Sequence, residues 1–282
     1  MLVFLNGQII KEEDAKVSIS DLSYQFGYGL FETIKCEQGI PIFFEDHFKR
    51  LTHSAKEIGM LFPVAPPEMK SWIKQVLDAN KLKSARIKII VSKKSDEKFN
   101  VLILAQPLEK PLSGFLLTTK KLSRDINSIS FRHKTTSRGD SYFAYKQALD
   151  ESFNDVLYLN EKNEILECSR ANVFIVLEDK IITPMLECGI LSGVTREKVI
   201  EIAKKENILI EEKNVHSLYL NKAKDIFITN AILGLMAVSK VKTEDKECRF
   251  LSRDSKVVKL KNGYDACVQE YLNKNTAQKI LT

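Results

Sequence analysis

Four short stretches carry residue types that could do chemistry together. The first is "LECSRANVF", Leu166 to Phe174, where a carboxylate at Glu167 and an amide at Asn172 interrupt a run otherwise suited to burial. A glutamate is rarely buried without a partner, and one candidate partner is a cationic group on a bound molecule, such as a protonated ring nitrogen. The second is "FRHKTTSRGD", Phe131 to Asp140, a cationic segment holding Arg132, His133, Lys134 and Arg138. A lysine that condenses with an aldehyde must be neutral part of the time, and neighbouring cations help by lowering its pKa. Lys134 is the candidate, although a solvated basic loop explains the segment equally well. The third is "GILSGVTREK", Gly189 to Lys198, where small residues feed a helix with Thr195 as a candidate N-cap. Unpaired N–H groups at a helix start, aided by the helix dipole, can seat a phosphate. The fourth is Arg50 in "HFKRLTHSA", on the border of an amphipathic helix, from which it either reaches inward to a phosphate or lies on the surface. A phosphate, an aldehyde and a protonated pyridine nitrogen are together the handles of pyridoxal phosphate.

The elements that must position these groups follow from hydrophobic period and turn residues. "LVFLNGQII" places Asn6-Gly7 between two apolar runs, and "LFETIKCEQGIPIFF" repeats the design around Gln38-Gly39, so both predict hairpins. "FEDHFKRLTHSAKEIGM" sets Phe48, Leu51, Ala55 and Ile58 at helical spacing, and a second helix is expected around "EMKSWIKQVLDANK". "ARIKIIVSKK" and "FNVLILAQP" read as neighbouring strands. "SYFAYKQALDES" reads as a helix, followed by hairpins at Glu161 to Asn163 and Glu178-Asp179. "DIFITNAILGLMAVSKV" is strand-like with an interruption expected at Thr229-Asn230. The Pro- and Gly-containing "AQPLEKPLSG" is the best interdomain linker. The expected organisation is a smaller α/β domain over 1–108, a linker over 109–118 and a larger α/β domain over 119–282, with mixed sheets in both.

Composition narrows the class. With 44% hydrophobic and 28% charged residues, the chain of 282 has the make-up of an ordinary folded protein. No apolar run approaches the ~20 residues that span a bilayer, and the opening residues are polar too early for a secretory signal, so a cytoplasmic location is expected. Five scattered cysteines and four histidines suggest neither a disulfide framework nor a metal site. A net charge of +6 is spread over dispersed lysines, without the basic and aromatic alternation of a nucleic-acid surface.

The run from Glu167 through Asn172, Val173, Phe174 and Thr183 to Leu191, Gly193, Val194, Thr195 and Arg196 resembles the signature of the class IV, fold-type IV pyridoxal-phosphate enzymes. "SDLSYQFGYGLFETIK", "DHFKRL" and "FITNAILGLMAV" resemble further family segments, so the likeness spans all but about the last thirty residues. The resemblance implies a two-domain fold similar to D-amino acid aminotransferase, the cofactor at the domain interface, and a homodimer. It implies that Lys134 is the Schiff-base lysine and proton carrier, and that Glu167 bonds the pyridine nitrogen. Arg50 and the backbone of Val194 and Thr195 would hold the phosphate, with Thr229, Asn230 and Ala231 as helpers. The partner of the ring oxygen, a tyrosine in branched-chain members, is left open by the sequence, as is whether Tyr28 or Tyr142 takes that place, and Tyr28 and Arg138 are candidate substrate contacts.

Three activities compete within that family. D-amino acid aminotransferases carry an Arg-x-His pair where this chain reads "RIKIIVSKKSDEKFNV", and no such pair is present. Branched-chain aminotransferases have a tyrosine shortly after the lysine, where this chain has Arg138. The lyases that release pyruvate and 4-aminobenzoate from 4-amino-4-deoxychorismate, in folate biosynthesis, match best through "QFGYGLFET", "TNAILGLMAV" and the Lys-x-x-x-Arg spacing of Lys134 and Arg138. A lyase is therefore expected, with an aminotransferase as the alternative and a non-catalytic cofactor-binding or interaction protein behind both.

Overall fold

The computed structural model describes residues 1–93, 99–108, 114–123, 125, 128–251 and 254–280, with side chains to residue 277. The chain divides into two compact units, one of Met1–Lys110, His133–Arg138 and Val268–Thr282, the other of Pro111–Arg132 and Gly139–Cys267. Of the linker expected over 109–118, residues 109–113 lie outside the described residues, and strand begins at Phe115.

The first unit is built from β1 (Leu2–Leu5), β2 (Gln8–Lys11), α1 (Leu22–Phe26), β3 (Gly29–Glu37), β4 (Ile40–Pro41), α2 (Phe44–Glu57), α3 (Pro66–Ala79), β5 (Ala85–Lys93) and β6 (Phe99–Gln106). Its sheet runs β2-β1-β6-β5-β3-β4 with antiparallel neighbours throughout. Both expected hairpins form. Asn6 and Gly7, and likewise Gln38 and Gly39, take the positive φ that a two-residue hairpin turn with the right twist requires. Along β3, Leu30, Glu32, Ile34 and Cys36 are buried, while Phe31, Thr33 and Lys35 are half-buried, so the strand has one core face and one wetter face. The core face lies on α2, whose Phe48, Leu51 and Ala55, with Ile58 just past its end, form the expected apolar stripe, extended by Phe44. Each large side chain buried there contributes roughly 1.5–3 kcal/mol.

Among the described residues, strand β4 pairs with the far end of β3 alone, at Cys36 and Glu37. The first half of β3 would therefore have a bare edge, and residues 133–136 cover it. Leu30 bridges Thr135 in antiparallel fashion, the Phe31 N–H donates to the Lys134 carbonyl (2.8 Å), and the Thr136 N–H donates to the Gly29 carbonyl (2.8 Å).

The second unit contains β7 (Phe115–Lys121), α4 (Ile129–Arg132), α5 (Gly139–Asp150), β8 (Asp155–Leu159), β9 (Glu164–Cys168), β10 (Asn172–Val176), β11 (Ile181–Pro184), α6 (Val194–Lys205), β12 (Ile210–Lys213), β13 (Val215–His216), β14 (Asp225–Asn230), β15 (Gly234–Lys242), β16 (Glu247–Arg249) and the start of α7 (Ser255–Ile280). Its sheet runs β12-β11-β10-β14-β15-β7-β8-β9-β13, with β16 beside β15. Parallel pairs at β11–β12, β15–β7 and β7–β8 make it a mixed sheet. Every residue of β8, β10 and β11 is buried, which accounts for their near-continuous apolar runs. The interruption expected at Thr229-Asn230 falls one step later: both residues belong to β14, and the turn is made by 231–233. Helix α7 lies wholly within the last thirty residues, the stretch for which no family segment is named. Its Tyr271 meets Phe43 edge-on at 5.2 Å, donates to Glu45 (2.6 Å) and accepts from the Phe44 N–H (3.1 Å), all within the first unit.

Candidate active site

In the first unit the reactive candidates gather around β3. Residues 133–136 are held against it by the backbone bonds above and by side chains. Ser23 Oγ donates to Thr136 Oγ1 (2.9 Å), Thr136 Oγ1 donates to the Gly27 carbonyl (2.8 Å), and His133 Nδ1 lies 3.0 Å from Ser54 Oγ. The glycines of "FGYG" are required by this approach. A Cβ at Gly27, where φ is +67°, would stand 2.9 Å from Ser137 Cβ, and one at Gly29 would stand 2.8 Å from Ser23 Oγ. The peptide segment carrying Lys134 thus runs where side chains would otherwise be.

Lys134 is half-buried, and its Nζ lies 4.5 Å from the centroid of the Phe31 ring. Lys88 of β5 reaches the same ring, its Nζ 5.1 Å from the centroid. Burial first, and then the Arg86 guanidinium, push the Lys88 ammonium below its ordinary pKa. On the core face, Arg50 grips Glu32 side-on, with Nε donating to Oε1 (2.8 Å) and a terminal nitrogen donating to Oε2 (2.7 Å), while His47 Nδ1 lies 2.8 Å from Oε2. Glu32 is 1% exposed. Burial alone would raise its carboxyl, but Arg50 and His47 together outweigh it and hold the group well below the usual carboxylate range. Burial lowers His47, reinforced by the charges of Arg50 and Lys134 and opposed by Glu32.

The remaining first-unit candidates are placed less centrally. The Tyr28 hydroxyl donates to the Ile58 carbonyl, so it is committed to holding the end of α2. Arg138 is half-buried at the end of the same segment, its N–H donating to the Thr136 carbonyl (2.9 Å). In the second unit Tyr142 is 65% exposed on α5. Of the region compared for an Arg-x-His pair, residues 94–98 lie outside the described residues.

In the second unit Glu167 is 4% exposed near the end of β9. Its Oε2 accepts from the Leu191 N–H (3.0 Å) and lies 3.5 Å from the amide nitrogen of Asn172, which in turn donates to the Leu191 carbonyl (2.9 Å). This triangle fixes the loop that leads into α6. Thr195 does not cap that helix, contrary to expectation. Gly193 is the N-cap and makes no side-chain cap bond, no side chain among the described residues accepts from the first turn, and Thr195 is buried inside the helix. The physical reason is the approach of Asn172, whose Oδ1 would lie 2.1 Å from a Cβ at Gly193. The start of α6 therefore has backbone donors without a side-chain cap, the arrangement that suits an anion. Thr229 sits opposite Asn172 in the β10–β14 register, and its Oγ1 is buried with no hydrogen-bond partner among the described residues. Asn230 instead turns the chain, accepting from the N–H groups of Ile232 (3.0 Å) and Leu233 (2.8 Å), and Ala231 lies in that turn.

Sequence reasoning missed Glu32, His47 and Lys88. A signal for Glu32 was present: in "LFETIKC" it occupies the same alternating face as Leu30, Ile34 and Cys36, so a charge stands where the period demands an apolar residue. Lys88 gave no such signal, because a lysine on the wetter face of a strand is unremarkable.

Each unit by itself holds groups that fit part of a phosphorylated aldehyde with a basic ring. The second has a helix start without a side-chain cap, a buried carboxylate and a buried threonine hydroxyl with no hydrogen-bond partner among the described residues; the first has a half-buried lysine and a partly buried arginine. A family model described as amino-transferase class IV matches residues 29–241, and the cofactor of that family is pyridoxal 5'-phosphate. The chain is 27% identical to an aminodeoxychorismate lyase of Bacillus subtilis, over 85% of this chain and 86% of the relative. It is 27% identical to a D-alanine aminotransferase of Bacillus licheniformis, over 86% and 88%. Among solved structures, a branched-chain aminotransferase of Thermoproteus uzoniensis, determined with norvaline, superposes with a TM-score of 0.83 at 27% identity, covering 97% of this chain and 96% of that one.

Proposed function

Because the chain belongs to the class IV aminotransferases, we propose that it is a pyridoxal-phosphate-dependent lyase that splits 4-amino-4-deoxychorismate into pyruvate and 4-aminobenzoate. The observation that carries the lyase over an aminotransferase is the pair of ammonium groups, Lys88 and Lys134, that share the ring of Phe31. Two like charges beside one aromatic ring repel one another in a partly dry setting, and an anionic substrate relieves that cost. A substrate with two carboxylates meets it well, and Arg138 at the end of the Lys134 segment is the candidate for the second carboxylate.

When bound, the cofactor supplies an electron-accepting ring that lets the carbon bearing the substrate's amine give up a proton. Lys134 takes that proton and, with a water, returns one to the departing enolpyruvyl group, which leaves as pyruvate. Glu167 keeps the ring nitrogen protonated. Arg50 and the backbone N–H groups of Val194 and Thr195 hold the phosphate, with Thr229 offering its hydroxyl. The aromatic ring gained in the product drives the cleavage forward. A cytoplasmic homodimer belongs to the same proposal, as does the division into an amino-terminal and a carboxy-terminal domain with the cofactor between them.

The aminotransferase reading has its own support in the likeness to the Thermoproteus enzyme, and it shares the first deprotonation by Lys134. The test is pyruvate release from enzymatically generated 4-amino-4-deoxychorismate with no amino acid or keto acid added. Equal amounts of pyruvate and 4-aminobenzoate, formed over many turnovers, support the lyase. Absence of pyruvate, with amino-group transfer from an amino acid to a keto acid, sinks it in favour of the aminotransferase.

A further inference from the structure

Strand β3 is attached to both first-unit residues assigned to the cofactor, and by different means. Its backbone holds Lys134: the Phe31 N–H bonds the Lys134 carbonyl, and the flanking Leu30–Thr135 bridge and Thr136–Gly29 bond fix the segment on either side. Its side chain at Glu32 holds Arg50 by two parallel bonds of 2.8 and 2.7 Å. Side-on pairing of this kind restricts the guanidinium in both position and plane. Without it, an arginine on the border of a helix has a long stem and open water within reach. His47 adds a bond to the same carboxylate at 2.8 Å, so Glu32 is itself held from a second direction, one turn back along α2.

We propose that Glu32 is a positioning residue that fixes the Arg50 guanidinium for the cofactor's phosphate, so that β3 sets the spacing between the amine anchor at Lys134 and the phosphate anchor at Arg50. The inference rests on the proposed function through the assignment of Arg50 to the phosphate. A pre-held guanidinium binds without paying the entropy of ordering its side chain on each binding event. The opposite effect has a physical basis too: Glu32 neutralises part of Arg50's charge, and its removal could strengthen attraction for a phosphate. The sign of the effect therefore decides between positioning and neutralisation.

The experiment compares two probes on the cofactor-free full-length protein: pyridoxal 5'-phosphate, and pyridoxal, which keeps ring and aldehyde but lacks the phosphate. The ratio of their dissociation constants, measured by absorbance titration, isolates the phosphate's share of binding within each folded variant. A general loss of structure weakens both probes and leaves the ratio unchanged. Glu32→Gln is expected to cut the preference for the phosphorylated probe at least tenfold. Should that variant not accumulate as folded protein, Glu32→Asp carries the same expectation, because the shorter side chain cannot make both bonds. Arg50→Gln serves as the reference. If it leaves the ratio as in the wild type, Arg50 does not hold the phosphate and the assignment beneath the inference fails. If it lowers the ratio while the Glu32 variant leaves it equal or raises it, the assignment stands and the positioning role is overturned.

Discussion

Lys134 and Lys88 occupy one ring, and different losses are expected on removing each. Lys134→Ala should abolish turnover by several orders of magnitude, together with the visible absorbance of the lysine-bound cofactor, read on the purified protein. Persistence of that absorbance would move the assignment to another lysine. Lys88→Met should leave the absorbance intact and raise KM for a dicarboxylate substrate about tenfold to a hundredfold, the equivalent of one lost charge-assisted bond of roughly 1.5–3 kcal/mol, with kcat changed much less. An unaltered KM would remove Lys88 from substrate binding. Lys134 stands out in the sequence as a candidate because it lies between other cations ahead of a helix, in a chain that resembles the family, whereas Lys88 becomes informative only when β3 and β5 are in register and Phe31 comes beneath it.

At the scale of elements, the hairpins, α2, α3 and α5 were legible because their periods and turn residues agree with the tertiary structure. The start of α6 was not. "SGVT" offers Thr195 as a cap by type, but the neighbour that forbids a side chain at Gly193 is Asn172, which arrives from another strand. Only tertiary structure shows why a bare glycine must cap this helix. Gly193→Ala should consequently disturb the Asn172–Leu191–Glu167 triangle and weaken cofactor binding by about tenfold or more, measured by titration of the cofactor-free protein. Undiminished affinity would mean that the α6 start does not hold the phosphate. The edge of β3 was equally invisible, since nothing in "HKTTS" announces that it will serve as the missing neighbour of a strand about a hundred residues earlier.

For the molecule as a whole, buried charges set the response to acid. His47 and Glu32 both have folded pKa values below their ordinary 6.5 and 4.5, so the unfolded chain takes up protons before the folded one does. The contribution of these two groups is then full above about pH 6.5 and falls in two windows, first as His47 must charge and again below about pH 4.5 as Glu32 must neutralise, while Asp155, raised by burial, works in the opposite sense. Urea midpoints between pH 7 and 5 should show the first fall, and His47→Gln should flatten it. A midpoint that rises on acidification would contradict a neutral His47. In solution the proposed dimer should have twice the 32.2 kDa of one chain, and light scattering that reports a single chain at micromolar concentration would rule it out. The pleat of β3 has a final, historical implication. Glu32 and Phe31 are consecutive in the chain yet face opposite sides of the sheet, so the residues that grip Arg50 and those that line the Lys88 side can drift independently. A lineage could then alter residues beside Lys88 on the wetter side without disturbing the Glu32–Arg50 pair on the other. Relatives that share this scaffold at about a quarter of their positions, and carry three different activities, are the outcome such a separation allows.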